Sequence, residues 1–512
     1  MAIACDPEPS TEFRDGIDAA QGGRGEGGEA GEGGDTTCAG QVSPVAHDAV
    51  GAGTVDSPYE IYSHHQLADL AASPGSWASH FVQCNDINLW PQYEFGSGEF
   101  LIGTQEIPFS GSYDGQGFDI IGFRLTQDLV PYGYGFFGWA EGAHIEALTL
   151  VRVNVDRPDS GWVGALIGYG ENVTLSEVGV ELGQVTGLTG VGGLAGELND
   201  SQSEGLQAAV TVYGGSMAGG LVGRIHDGLV EDAVARGDVF LNPEVEHEIL
   251  FVGGLVGLLH GQVRYCEAHG DVYSEQHRMG GGLVGETQAG FVDHCFATGD
   301  VTAKDRAGGL VGSISGGTLE WSYATGDVHA LPRFAWSTAV GGGLAGGSGG
   351  VTAYDVHDCY ATGNVEAGVA GGLIAHYDST PNLLGDQIVE RCYASGHADG
   401  SLDAPWIGSV AGAFSAYPDW ETPPDIVDSF SVGTASGPSG GVPFSTHTVQ
   451  DSNFYNEVVW PGANGNGAQP ASSIEGHFSN PNDAPMFLGW TLGADAWVLG
   501  NELPRIPSAG VL

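Results

Sequence analysis

The chain has 512 residues, of which 64 are acidic and 14 basic, giving a net charge of −50. A field of that sign repels duplex DNA, RNA and anionic membrane surfaces, and it fits a salty habitat, a cation-rich surface or strong solubility. No run of about 18 apolar residues is present, so no transmembrane helix is expected. Glycine is the commonest residue at 88 copies, beside four methionines and a single lysine, Lys304. Each glycine costs a helix about 1 kcal/mol relative to alanine. Short runs of Val, Leu, Tyr and Thr between glycines therefore read as strands, and the fold class is all-β.

Residues 1–50 read as a disordered tether. Residues 21–34 hold eight glycines and no aliphatic residue larger than alanine, too little to offset the entropy of ordering. The opening MAIAC has no basic n-region or full apolar h-region, so no intact signal peptide is expected. Ala2-Ile3-Ala4-Cys5 nevertheless resembles the end of a bacterial lipoprotein signal, which makes Cys5 a candidate lipid-anchor site. The alternative is a chance cysteine in the leader.

Residues 51–160 read as an N-terminal cap and the first coils. Tyr62–Ala72 carries a serine cap, Ser63, and places Leu67, Leu70 and Ala71 on one face, which predicts a short helix. A strand at Phe81–Cys84 follows, then the run Pro108–Ile120. A helix here would cover an otherwise open strand edge.

Residues 161–435 are repetitive. The motif GGLVG, clean at Gly219–Gly223, recurs with Leu166, Leu194, Leu221, Leu255, Leu283, Leu310, Leu344 and Leu373 at its centre, and Val410 in a degenerate ninth copy. The spacings are 28, 27, 34, 28, 27, 34, 29 and 37 residues. A period in that range marks a solenoid, whose repeats bury their apolar faces only against neighbours. Nine rungs about 4.8 Å apart make a rod on the order of 40 Å long. Residues 436–512 read as C-terminal coils and a cap.

The second half of each repeat aligns on a turn glycine: Gly237, Gly270, Gly299, Gly326, Gly363, Gly396 and Gly433. This glycine is expected at positive φ. Four residues before it stand Cys266, Cys295, Cys359 and Cys392, where other coils have Ala233, Ser322 and Ser429. A slot shared by Cys, Ser and Ala is small and inward. The expectation is a buried thiol ladder, although Cys266/Cys295 and Cys359/Cys392 lie on adjacent rungs where an exported protein could oxidise them. Alternation turns the next column outward: Phe296, Tyr323, Tyr360, Tyr393 and Phe430. Its readings are self-stacking that stabilises the rod, a bulge that turns the rings inward, a platform for sugar rings, or a protein contact. After the turn glycine come Asp238, Asp271, Asp300 and Asp327, then Asn364. This column is either a solvated ladder or a candidate Ca2+ site.

The order PYEI, QLADLA, NDINL, PFSGSYDGQG and GFFGWA, then repeated GGLVG…CFATGDV, resembles the GLUG-motif proteins over roughly residues 51–506. These are bacterial and archaeal surface proteins, and the module also precedes metallopeptidase domains specific for immunoglobulin A. The resemblance implies a right-handed parallel β-helix outside the cell. It does not imply an activity.

Against that background the sequence offers no catalytic constellation. Lyases of this fold pair a carboxylate-bound calcium with an Arg or Lys base, and no basic residue recurs with an acidic cluster. Two carboxylates at glycosidase spacing arise by chance among 64 acids. His247-Glu248 opens HEILF and lacks the second histidine of HExxH, and no G-x-S-x-G occurs. The expectation is a monomeric, non-catalytic, adhesin-like protein at the cell surface that needs no cofactor, binding glycan or a surface protein along its length. The alternative is a carbohydrate-active β-helix enzyme, such as a polysaccharide lyase or glycoside hydrolase.

Overall fold

The computed structural model describes residues 50–90, 101–126, 133–241, 251–274, 279–332, 337–347, 352–376 and 384–400, and backbone segments within 410–471. The chain divides into two units, Met1–Ala39 and Gly40–Leu512, and every described residue belongs to the second.

The second unit is a β-solenoid whose described strands pair in parallel, with isolated antiparallel bridges only at Val50–Glu60 and Thr54–Ser57 among the described residues. One coil shows the plan. Strand Met217–Gly219 runs through Leu221 into Val222–Glu231, then Val234–Ala235 and Val239–Leu241, before Phe251–Gly253 begins the next coil. Met217 pairs with Phe251, Val222 with Val256, Ala235 with Ala268 and Val239 with Val272, so like positions stack on like. The strands at GGLVG form one ten-stranded parallel sheet from Gly161–Val163 to Val442–Ser445.

The repeat motif explains itself in these contacts. All eight central leucines are fully buried. The seven from Leu166 to Leu344 each donate their amide to the leucine carbonyl of the following coil, at 2.7–3.0 Å. The second glycine of the motif sits where coils touch: a Cβ on Gly282 would stand 2.0 Å from the Gly309 carbonyl oxygen. No other residue fits there without prising the rungs apart.

At the N-terminal end, helix His64–Ala71 begins at Ser63, whose hydroxyl accepts from the Gln66 amide. Leu67 and Leu70 join Ile61 and Phe81 in the continuous core, and the Trp77 indole donates to the Leu70 carbonyl at 2.9 Å. The expected strand Phe81–Cys84 is found at His80–Gln83, and the run Pro108–Ile120 supplies most of a further strand, Ser112–Ile121.

One expectation is corrected. The turn glycines Gly237, Gly270, Gly299, Gly326, Gly363 and Gly396 are absent from the positive-φ residues. They are glycine because a Cβ on Gly326 would meet the Gly299 carbonyl oxygen at 1.9 Å, and the others meet the preceding coil equally closely. The left-handed corner lies five residues earlier, at Asp232, Tyr265, His294, Trp321, Asp358 and Arg391, with φ between 49° and 55°. Such residues cost roughly 1–2 kcal/mol each in this conformation. Ion pairs along the corner offset part of that cost. Arg391 forks onto Asp358 with bonds of 2.9 and 2.7 Å, and Arg264 and His294 both engage Asp293.

Candidate functional site

The columns singled out by repetition are engaged with one another. Phe296, Tyr323, Tyr360 and Tyr393 stack face to face at 4.9, 4.7 and 5.0 Å with planes within 4° of parallel. Phe296, Tyr360 and Tyr393 are buried and Tyr323 is half-buried. Burial, and next the Glu267 charge, pushes the Tyr323 hydroxyl up to about 12. Strand spacing and ring contact distance coincide, so each flat face is covered by the next ring. The ring faces inside the stack lie against one another and are not open to a sugar ring. Phe430 pairs in register with Tyr393 through its backbone.

The aspartate column forms a hydrogen-bonded ladder. Asp271, Asp300, Asp327 and Asn364 each donate their amide to Oδ1 of the aspartate one coil before, at 2.8–2.9 Å. His397 donates to Asn364 Oδ1 at 3.1 Å, so an uncharged amide serves the rung equally. We expect Asp300→Asn to leave stability within about 0.5 kcal/mol, and Asp300→Ala to cost about 1 kcal/mol by stripping the Asp327 amide of its acceptor. Urea unfolding with and without EDTA checks this. A calcium-holding column would instead lose stability with EDTA and with Asp300→Asn.

Cys266, Cys295, Cys359 and Cys392 are free and fully buried. Each thiol donates to the carbonyl two residues earlier at 3.1–3.3 Å, as the Ser322 hydroxyl does at 2.7 Å. Burial first, and then the coupled neighbouring thiol, pushes Cys295 and Cys359 well above the usual range, so both stay protonated. Cys84 is disulfide-bonded. Cys5, His247 and Glu248 lie outside the described residues.

One face does not repeat. The residue directly after each GGLVG-type motif runs Trp139, Tyr169, Glu197, Arg224, Leu258, Glu286, Ser313, in register from coil to coil. Leu198, Ile225 and Leu259 beside it point into the core, so this column sets out on the opposite side; Trp139, Tyr169 and Arg224 are half-buried there, and Glu197, Leu258, Glu286 and Ser313 are buried. Trp139 and Tyr169 stack at 4.0 Å, and Trp162 meets Tyr169 edge-on at 6.2 Å. All three rings are half-exposed. Trp162 holds a φ of 52°, rare for a bulky residue, and its ring lies over Gly190, where a Cβ would come within 2.2 Å.

Glu197 follows Tyr169 on the next coil. Its Oε2 and the Arg224 Nε are both buried without a hydrogen bond, and the pair approach only to 3.8 Å. Burial, with Arg224 opposing, pushes the Glu197 carboxyl up to about 7. The folded state therefore holds a proton that an unfolded glutamate, near 4.3, releases. Stability is fully present below about 4.3 and is lost as pH rises through 7. We expect Glu197→Gln to raise the unfolding free energy by about 1–2 kcal/mol at pH 8 and far less at pH 5. Thermal unfolding at the two pH values checks this.

The signal for this face is present in the sequence as a variable letter directly after a recurring motif. Columns of like residues drew attention away from it.

No protein-family profile matches the chain, so the GLUG-motif likeness rests on the residues quoted above. A halomucin from Haloquadratum walsbyi is 29% identical over 180 residues, covering 35% of this chain and 2% of that much longer protein. Among solved structures, a putative immunoglobulin A1 protease from Bacteroides ovatus aligns with 19% identity and a TM-score of 0.41. That alignment covers 49% of this chain and 78% of the other. An IgA1 protease aligns with 15% identity and a TM-score of 0.35, over 71% of this chain and 24% of its own. Neither likeness extends to chemistry.

Proposed function

We propose that this protein is a surface-displayed solenoid that binds glycan on the face centred on Trp139, Tyr169 and Trp162, beside Glu197 and Arg224. The observation that carries this reading is the break in symmetry. The other columns repeat one kind of residue from coil to coil, whereas this one changes chemistry along its length and gathers three half-buried rings and a carboxylate–guanidinium pair with unmet hydrogen-bonding capacity. Sugars offer an apolar ring face to aromatics and hydroxyls that both donate and accept, the complement of such a site. The disulfide at Cys84 and the partial likeness to a halomucin support a setting outside the cell. Among the described residues no helix is long and apolar enough to cross a membrane. Anchoring through Cys5 remains part of the proposal.

A second reading, a carbohydrate-active enzyme, is favoured by Glu197, whose raised carboxyl is protonated near neutral pH as a general acid must be. A glycan array probed with the full chain tests both. Binding without product supports the lectin-like reading. Shortened sugar that disappears in Glu197→Gln establishes the enzyme. No binding to any glycan contradicts both.

A further inference from the structure

We propose that His226, Asp227 and His260 form a zinc site that joins two successive coils. Candidate ligand atoms of the three residues lie within 4.8 Å of one another. His226 and His260 are register partners on adjacent rungs, with rings 5.1 Å apart and 20° from parallel. Asp227 stands at an exposed corner in the left-handed conformation, φ 62°, followed by Gly228 at 90°. That corner carries its carboxylate to 3.2 Å from His260 Nδ1, a nitrogen that is buried without a hydrogen bond.

The tautomer of His226 is set from behind. Asn199 precedes it by one coil, and His226 Nδ1 donates to Asn199 Oδ1 at 2.9 Å. That leaves the Nε2 lone pair of His226 to face an ion, the arrangement by which an outer carbonyl orients a metal-binding histidine. Two imidazoles and one carboxylate suit zinc, which takes three protein ligands and keeps a fourth position open. Calcium and magnesium prefer oxygen throughout. Tetrahedral zinc ligands stand about 3.4 Å apart, and Asp227 and His260 already approach to 3.2 Å, so binding asks only that His226 and this pair draw together.

The test uses the untagged full chain, stripped with EDTA and dialysed, titrated with zinc chloride by calorimetry. Co2+ is then added to read the absorption of a tetrahedral site. Wild type is expected to bind one Zn2+ at micromolar or tighter Kd and to gain thermal stability, because the ion spans two coils. His260→Gln and Asp227→Asn are each expected to weaken binding at least tenfold. Asn199→Ala keeps all three ligands and is expected to weaken binding about tenfold. Unfolding midpoints measured in EDTA separate lost ligation from lost folding. If His260→Gln does not fold, exposed Asp227→Asn decides the matter. Trp139→Ala is expected to leave zinc affinity unchanged, which keeps this site independent of the glycan face. Absence of saturable binding, or unchanged affinity in Asp227→Asn, overturns the proposal.

Discussion

Gly282→Ala is expected to destabilise the solenoid by more than about 4 kcal/mol, the range reserved for changes that break a packed element. The added methyl would stand 2.0 Å from the Gly309 carbonyl oxygen and 2.9 Å from the Ala297 Cβ. Its nearest obstacle is backbone, so no rotamer change can relieve it. The only escape is to open the spacing between two coils, and the bonds from the Leu283 and Val284 amides to the Leu310 carbonyl span that gap. In a solenoid each coil touches only its neighbours, so a wedge between rungs divides one cooperative rod into two. Urea unfolding should become biphasic or shift far below wild type. Gly75→Ala is the control: nothing lies within 4 Å of its added Cβ, so it should cost less than about 0.5 kcal/mol. A near-silent Gly282→Ala would mean that the coils have slack the packing denies.

Tyr360→Ala ranks next. The ring is 6% exposed and sandwiched between Tyr323 and Tyr393 at 4.7 and 5.0 Å. Removing it leaves a cavity open on two sides, and large-to-small changes of this kind cost about 3 kcal/mol or more. Thermal or urea unfolding reads the loss directly. A cost below about 1 kcal/mol would show that the rings are surface decoration after all.

Parallel stacking explains what the sequence disclosed. When Leu283 must lie under Leu255 and Ala297 under Ala268, recurrence in the letters is recurrence in space, and period, strands and inward slots can be read together. Backbone conformation left no such trace. The corner at Asp232, Tyr265, His294, Trp321, Asp358 and Arg391 shares a φ and no side-chain chemistry, so alignment could not find it. The glycine after each corner misled for a related reason: close approach of the preceding coil and positive φ both select glycine, and only coordinates separate them.

Alternation also had a limit. The aromatic column does alternate with the Cys and Ala slots, yet its rings are as wide as the rung spacing requires and cover one another. Pattern tells which way a side chain sets out, not what it meets there. The face from Trp139 to Ser313 leaves little trace in the sequence because it varies, and variation becomes informative only when fixed neighbours show that the scaffold does not require it.

The most direct measurement is a calorimetric titration of an array-selected oligosaccharide into wild type, Trp139→Ala and Tyr323→Leu. If function resides on the non-repeating face, Trp139→Ala weakens binding at least tenfold while Tyr323→Leu, provided it folds, keeps wild-type affinity. The reverse pattern, with affinity lost at Tyr323 and kept at Trp139, would contradict that placement and return the binding surface to the aromatic stack.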